Sequence, residues 1–319
     1  MIANETAGSG AGLPYVLPEL RHARFRITLR ALTPARLPPF HGSTLRGAFG
    51  HALRKTVCSF GPDAPCPTCV LRSECPYPRI FETPNPGQPL EPLSFLAGVT
   101  TAPRPYLFEP RSTTTTLAVG ETLGFDLLLF GRAIELQRYA LAAVERLAAG
   151  GLGAAVAGRK AEFAVAGVEP IPPSGAPLPN EPLPGDGHRV RLRFVTPVRL
   201  LDHKRVVPPD RPRALAFAMI RRLLELAHFH APDSTIDWTF KPLLEHAGTL
   251  EVVGTDLRFH DVERYSQRQQ THTPLGGYEG TLDLRGDLEP LAPLLRAAEV
   301  IHVGKGTVFG LGQLAIEAA

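Results

Sequence analysis

Alternating apolar and polar residues predict strands at matching places in both halves of the chain. In the first half, RFRITLRAL at residues 24–32 puts apolar side chains on one side and arginines on the other. A period of two over this length indicates a half-buried strand with a basic outer face. The next segment, STLRGAFGHALRKTV at residues 43–57, spaces its apolar residues three and four apart. This spacing predicts an amphipathic helix with Ser43 as its N-cap.

The predicted elements follow the order strand, helix, two strands, helix, strand, and the second half repeats that order. Further strands of the first half are predicted near 104–109 and at TLGFDLLLFG, before the helix AIELQRYALAAVERLAAG. In the second half, a strand at 188–200 precedes a helix at 213–229, two strands, a helix at 288–300 and a terminal strand. The order predicts an α+β protein of two tandem ferredoxin-like domains, the architecture that also underlies RNA-recognition modules.

Composition places the domain boundaries. The proline-rich segment EPIPPSGAPLPNEPLPGDGH, residues 169–188, cannot continue a helix or form a central strand, so it is interpreted as an extended linker. The predicted units are a flexible tail at 1–20, an N-terminal ferredoxin-like domain at 21–168 with a cysteine-rich insertion at 58–80, a linker at 169–187, and a C-terminal ferredoxin-like domain at 188–319.

Charge and hydropathy narrow the functional classes only slightly. The formal net charge of +3 permits a polyanionic partner without demanding one. No run approaches the ~20 apolar residues of a membrane span, and the N-terminus has neither the basic nor the apolar region of a signal peptide. We therefore expect a cytoplasmic protein without a membrane partner.

All four cysteines fall in one short segment, at Cys58, Cys66, Cys69 and Cys75. Clustered cysteines in a chain without a secretion signal favour a metal over disulfides. The spacing C-x7-C-x2-C-x5-C predicts a structural zinc site that organises the insertion, with an iron–sulfur cluster as the less favoured metal centre. Four unligated thiols are the alternative. No catalytic metal is expected.

Near the C-terminus, HVGKGTVFGLGQLAIE contains Lys305 among four glycines, at Gly304, Gly306, Gly310 and Gly312. The order helix, loop, strand excludes a dinucleotide fingerprint or a Walker A loop, both of which need a helix after the glycines. One interpretation is a loop whose backbone N–H groups meet phosphates, with Lys305 adding charge. The other is a tight connection that needs positive φ angles.

Basic residues occupy the polar side of the helix at 43–57 and a polar hairpin in the second half. The helix carries Arg46, His51, Arg54 and Lys55, and His41 directly precedes it. An imidazole beside fixed cations can act as a general acid or base on RNA. The alternative is a solvated basic helix face without a catalytic role. The segment at 263–280, with Arg264 and Arg268, could lie along a nucleic-acid backbone or be an ordinary polar hairpin.

Several segments together resemble the CRISPR precursor-RNA-processing endoribonucleases of the repeat-associated mysterious protein (RAMP) superfamily. In chain order they are LPPFHGSTLRGAFGHAL, the cysteine segment ending CPYPRIFETP, RFVTPVRL, RYSQRQQ with LGGYEG, and HVGKGTVFGLG. The similarity extends from about residue 24 to 316 and is greatest to the branch with a cysteine-bearing insertion. It implies two ferredoxin-like domains and one metal-independent cut in each CRISPR repeat. In that cut a 2′-hydroxyl attacks the adjacent phosphate, which gives a 2′,3′-cyclic phosphate and a 5′-hydroxyl.

The resemblance also implies roles for particular residues. The glycine-rich loop with Lys305 would contact RNA, His51 would act as general acid or base, and Lys55 would stabilise the phosphate, with His41 as the rival to His51. The helix lacks the tyrosine of some members. The alternative function is a non-catalytic RNA-binding subunit of a CRISPR effector complex. The expected partner is CRISPR repeat RNA. Two further partners are considered: subunits of a CRISPR effector complex, and a second copy of the chain in a homodimer.

Overall fold

The computed structural model describes residues 15–61, 64–84, 102–156, 158–261, 263–266 and 271–319. The elements of the first half are β1 (Arg21–Ala31), β2 (Ala35–Arg36), α1 (Gly42–Val57), β3 (Tyr106–Pro110), β4 (Thr116–Leu117), β5 (Thr122–Phe130), α2 (Gln137–Gly150), β6 (Leu152–Val156), β7 (Arg159–Ala161) and β8 (Phe163–Pro177). Those of the second half are β9 (Arg189–Val198), β10 (Leu200–Asp202), β11 (Arg205–Val207), α3 (Pro212–His230), α4 (Lys241–Ala247), β12 (Glu251–His260), β13 (Glu263–Ser266), β14 (Thr271–Pro274), β15 (Gly277–Arg285), α5 (Ala292–Ile301) and β16 (Leu314–Ala318).

Each half contains a four-stranded antiparallel sheet with the same topology. The first sheet has the order β3-β5-β1-β8, and the second has the order β12-β15-β9-β16. In each, the first and third long strands of the half lie in the centre, and the second and fourth lie at the edges. This is the ferredoxin-like arrangement of β-α-β-β-α-β units, so the predicted fold is confirmed.

Helix α1 packs as its apolar spacing predicts. Leu45, Phe49 and Leu53 are buried against the first sheet, in a core that also contains the apolar side of α2. Burying side chains of this size contributes roughly 1.5–3 kcal/mol each. Because these residues recur along one side of the helix, the opposite side is held in a fixed orientation towards solvent.

Strand β5 is buried on both faces, which explains its unbroken apolar run. Leu127 and Leu129 belong to the core of the first domain, whereas Leu128 and Phe130 belong to the core of the second. Alternate residues of a strand point to opposite faces, so the first sheet is sandwiched between its own helices and the second domain. The two domains therefore share an apolar interface.

Two predicted boundaries are wrong. Strand β8 continues through the proline-rich segment to Pro177, pairing Glu169 with Arg26 and Ala176 with His22. An edge strand tolerates prolines because it needs backbone donors on one side only. The predicted flexible tail at 1–20 also extends too far along the chain: Leu20 is fully buried, and the Tyr15 hydroxyl donates to the Asp237 carbonyl. Residues 1–14 lie outside the described residues.

Candidate functional site

His51 and Lys55 lie together on the exposed side of α1. Both side chains are exposed, one helical turn apart, and point away from the buried Leu45, Phe49 and Leu53. Residues four apart on a helix are surface neighbours. The structure thus presents an imidazole beside an ammonium group on a rigid, well-packed element.

The two arginines predicted to share this surface lie on the flank of α1, where Arg46 contacts aromatic rings and Arg54 contacts the cysteine-rich insertion. The guanidinium of Arg46 stands 4.3 Å from the ring centroid of Phe81 and 5.9 Å from that of Phe309. Cations over aromatic rings at these distances are attracted to the ring faces. The Arg54 guanidinium donates to the Ala64 carbonyl and is therefore engaged by the insertion. The predicted basic residues therefore lie in two places: His51 and Lys55 on the exposed side of α1, and Arg46 and Arg54 on its flank.

His41 occupies the position just before α1 and is almost fully buried, with 1% of its surface exposed. Its Nε2–H donates to the Thr114 carbonyl at 2.9 Å, and its Nδ1 has no hydrogen-bond partner among the described residues. Burial lowers the pKa of His41, and the hydrogen bond to Thr114 offsets only part of this effect. The ring is consequently neutral at pH 7 and enclosed.

The turns of the glycine-rich loop require glycine at four positions. All four glycines have positive φ, from +71° at Gly312 to +89° at Gly310. A Cβ at Gly310 would collide with the Phe108 carbonyl, and one at Gly312 with the Val303 carbonyl. Both the left-handed backbone and the close approach exclude larger residues at these positions.

Three amides of the loop donate to carbonyls of the protein and are not free to meet phosphates. Those of Lys305, Gly310 and Gly312 donate to the carbonyls of Arg199 at 3.0 Å, Thr307 at 2.8 Å and Pro197 at 3.0 Å. Gly310 and Gly312 are also buried, whereas Gly304 and Gly306 are partly exposed and the Lys305 side chain is exposed. The exposed part of the loop therefore includes the Lys305 side chain and the backbone at Gly304 and Gly306.

The loop is seated against the start of α1. A Cβ at Gly42, the first residue of α1, would collide with the Phe309 carbonyl of the loop. The loop is also held by β9, where the Thr196 hydroxyl donates to the Gly310 carbonyl at 2.7 Å. The contact with Phe108 places the same loop on strand β3 of the first domain. The fold thus brings the C-terminal loop and the first helix together at the domain interface.

A buried ionic network that sequence reasoning missed fixes this interface. His302, fully buried at the end of α5, donates from Nδ1 to the Leu311 carbonyl at 3.1 Å and from Nε2 to Glu109 Oε1 at 3.0 Å. Arg24 donates to the same Glu109 oxygen at 2.9 Å. Both ring nitrogens of His302 therefore face oxygen acceptors, one from each side of the domain interface.

Glu109 is the shared anion of this network. Burial raises its pKa, but the hydrogen bond and charge of His302, followed by the charges of Arg24 and Arg111, outweigh burial and lower the pKa below its usual value. His302 has a positive φ of +60°, which is uncommon for a residue other than glycine. The only sequence feature that could have pointed to this network is a histidine directly before the glycine-rich loop.

The four cysteines converge on one small cavity in the insertion, which Arg54 and Arg72 also line. Burial raises the pKa of the Cys66 thiol, helped by Glu82, Cys58 and Cys75 and opposed by Arg54. The set of donors matches a thiolate-bound metal. Among the described residues, however, no three side chains of cysteine, histidine, aspartate or glutamate are grouped closely enough to hold one ion.

The predicted polar hairpin is only partly described. Backbone hydrogen bonds pair β13 with β14 and place Arg264 opposite Thr273. Arg268 lies outside the described residues. The RNA-binding roles predicted for both arginines stay predictions.

Two family models match consecutive parts of the chain. One, described as an N-terminal domain, matches residues 20–192, and the other, the CRISPR-associated endoribonuclease Cas6, matches residues 192–314. The chain belongs to the Cas6 family of CRISPR RNA-processing enzymes. It is accordingly an endoribonuclease that processes CRISPR precursor RNA. Membership of a branch with a four-cysteine insertion stays a prediction.

Solved Cas6 structures have the same fold. Thermus thermophilus Cas6 is 19% identical over 95% of this chain and 100% of that chain, with a TM-score of 0.52. A Cas6 product complex is 19% identical over 93% of this chain and 99% of that chain, with a TM-score of 0.54. A partial Cas6-RT-Cas1–Cas2 complex is 14% identical over 96% of this chain and 47% of that chain, with a TM-score of 0.56. At these identities the similarity establishes the fold.

No curated protein matches the sequence. In the described part of this Cas6-family chain, no helix combines the length and the apolar character that crossing a membrane requires.

Proposed function

We propose that this Cas6-family chain cuts CRISPR repeat RNA without a catalytic metal, by attack of a 2′-hydroxyl on the adjacent phosphate. The new bond joins the 2′-oxygen to phosphorus, and the bond from phosphorus to the 5′-oxygen breaks. A proton leaves the 2′-hydroxyl and another reaches the departing 5′-oxygen, so the products are a 2′,3′-cyclic phosphate and a 5′-hydroxyl. The observation that carries the proposal is the exposed pair of His51 and Lys55 on α1.

His51 is the proposed general base for the 2′-hydroxyl or general acid for the 5′-oxygen. A solvent-facing imidazole on a packed helix can reach a bound strand while its backbone stays fixed. Lys55, one turn away, would stabilise the charge that grows on the phosphate oxygens. His41 is less suited because its Nε2–H is engaged by Thr114 inside the protein. It remains the rival on account of its unpartnered Nδ1.

Single-turnover cleavage of the repeat RNA from the same locus tests these roles. His51→Ala should lower the rate at least ~10²-fold while the affinity for the repeat changes little, because positioned acids and bases typically contribute ~10²–10⁴-fold. His41→Ala is the comparison and should lower the rate less. If His41→Ala abolishes cleavage while His51→Ala cuts normally, the chemistry takes place at the entrance to α1 and the assignment is wrong.

RNA binding is proposed for the exposed face of the glycine-rich loop, through Lys305 together with the partly exposed Gly304 and Gly306. The loop lies at the start of the helix that carries His51. A strand bound there would reach α1 across the domain interface, where the loop and the helix meet.

We also propose a structural zinc in the cysteine cavity. The four thiols would hold the ion, whose role would be to order an insertion that has few apolar residues of its own, and no chemical step involves it. Support comes from the convergence of all four cysteines on one cavity.

Elemental analysis of anaerobically purified protein tests this site. We expect one zinc per chain, and loss of zinc in the double variant Cys66→Ser with Cys69→Ser. Protein that contains no metal would reject the site, and iron with a visible chromophore would replace zinc by a cluster.

A further inference from the structure

An aromatic pair lies where β12 ends and β15 begins. Phe259 and Tyr278 are directly opposite each other in the two strands, with ring centroids 5.3 Å apart and ring planes at 76°. Tyr278 packs on the core of the second domain, whereas Phe259 is 52% exposed. The pair therefore has a fixed inner ring and a free outer one.

Two glycines make room for this arrangement. A Cβ at Gly276 would lie 2.9 Å from the Phe259 ring, and a Cβ at Gly277 would lie 2.9 Å from the Arg199 side chain. Arg199 in turn donates from Nε to the Gly276 carbonyl at 2.9 Å. Any larger residue at these positions would displace the aromatic ring or the arginine, so the surface depends on both glycines.

The aromatic pair is connected to the glycine-rich loop through one residue. The Arg199 carbonyl accepts the Lys305 amide at 3.0 Å, and Arg199 forms an isolated parallel bridge with Gly304. One residue thus contacts the turn beneath Phe259 with its side chain and the loop with its backbone. The exposed Arg258 precedes Phe259 on β12. Three carboxylates of the described residues lie beside this end of β12 and β15. Asp256 is 3.4 Å from Arg258, Glu279 is 3.7 Å from His260, and Asp261 places its Oδ1 3.1 Å from the Cβ position of Gly276.

We propose that the ring of Phe259, backed by Tyr278, stacks on one unpaired nucleobase of the RNA whose backbone passes Lys305. The inference rests on the proposed RNA cleavage and adds a base-binding position to it. Proteins recognise unpaired RNA by stacking bases on aromatic rings while nearby cations hold the backbone, and an exposed ring joined to Lys305 through Arg199 has this composition. Because Phe259 already packs against Tyr278, part of its side-chain freedom is lost before RNA binds, which lowers the entropic cost of stacking.

Binding of the locus's repeat RNA to the full chain tests the stacking position. Phe259→Ala should raise Kd about 5- to 150-fold, the equivalent of ~1–3 kcal/mol for one stacked base. Phe259→Trp should retain the wild-type affinity, because tryptophan keeps an aromatic face. The slope of log Kd against log salt should stay the same in both variants, since neither removes a phosphate contact. Val252→Ala is the control: this exposed residue lies about 24 Å away along the same strand and should not affect binding.

The outcomes separate this inference from the proposed function. Wild-type protein that cuts and binds its repeat, together with a Phe259→Ala variant of unchanged Kd, overturns the stacking position alone. The same holds if the salt slope changes with Phe259→Ala, or if Val252→Ala weakens binding equally. Wild-type protein that binds its repeat without cutting it overturns the proposed cleavage, and a loss of affinity in Phe259→Ala would still support the base-binding position.

Discussion

The ionic network at the domain interface predicts a large loss of stability on replacing Glu109 by glutamine. The Glu109 carboxylate is 5% exposed and accepts hydrogen bonds from His302 at 3.0 Å and Arg24 at 2.9 Å. Glutamine keeps the size and one oxygen but removes the negative charge. The buried His302 ring and the Arg24 guanidinium would then face a neutral amide instead of a carboxylate.

The expected magnitude follows from the burial of the pair. Removing one partner of a buried ion pair typically costs ~3–5 kcal/mol, because the other charge stays desolvated. Glutamine can keep one hydrogen bond worth ~1 kcal/mol, so we expect Glu109→Gln to lower the free energy of unfolding by about 2–4 kcal/mol. Glu317→Gln is the matched control, since the ion pair of Glu317 with Arg193 is substantially exposed and should contribute at most ~1 kcal/mol.

Urea denaturation followed by fluorescence of the single tryptophan, Trp238, measures both variants. The depressed pKa of Glu109 means that its contribution is present above the pKa of an unfolded glutamate, ~4.3, and is lost as the pH falls through the folded value. The difference between wild type and Glu109→Gln should therefore shrink below about pH 4. If Glu109→Gln costs no more than Glu317→Gln, or if the difference persists unchanged at pH 3, the charge argument is refuted.

Two further predictions concern Lys305 and His230. Lys305→Ala should flatten the log–log salt dependence of RNA affinity by ~0.7, the effect of one lost phosphate contact on a single strand, whereas Lys241→Ala on the exposed surface of α4 should leave the slope unchanged. An unchanged slope for Lys305→Ala would remove the loop lysine from the RNA interface. Burial lowers the pKa of His230 to about 4. Between pH 6.5 and pH 4, His230 is therefore protonated in the unfolded chain and neutral in the folded chain. Stability should fall by ~2 kcal/mol between pH 7 and pH 5 through this group, and His230→Gln should show a correspondingly shallower decline in urea denaturation. Equal declines in the two proteins would contradict this.

The spacing of apolar residues was sufficient to predict those elements that bury one face against the core. The spacing of Leu45, Phe49 and Leu53 predicted α1 and its exposed side, and all three residues are buried. It was insufficient for β8, since proline content distinguishes a central strand from other segments but not an edge strand from a linker. The pairing of β8 with β1 depends on which strand lies at the sheet edge, and that is a property of the whole domain.

The candidate site divides in the same way between local and long-range features. The proximity of His51 to Lys55 follows from helical spacing, and the convergence of the cysteines on one cavity follows from their short separation. The hydrogen bonds of two loop amides depend on carbonyls supplied by Pro197 and Arg199, far away in sequence. The partner of His302 lies 193 residues away, so no local pattern marks it.

The chemistry of the cut ends tests the central claim most directly. The protein is incubated with the repeat RNA of its own locus in excess EDTA, and the products are examined by mass spectrometry and by 5′ labelling without prior phosphatase treatment. The account predicts one cut per repeat, an upstream fragment lighter by one water than the linear monophosphate, and a downstream fragment that accepts the label directly. A downstream 5′-phosphate with an upstream 3′-hydroxyl, or cleavage that stops in EDTA, would contradict attack by the RNA's own 2′-hydroxyl.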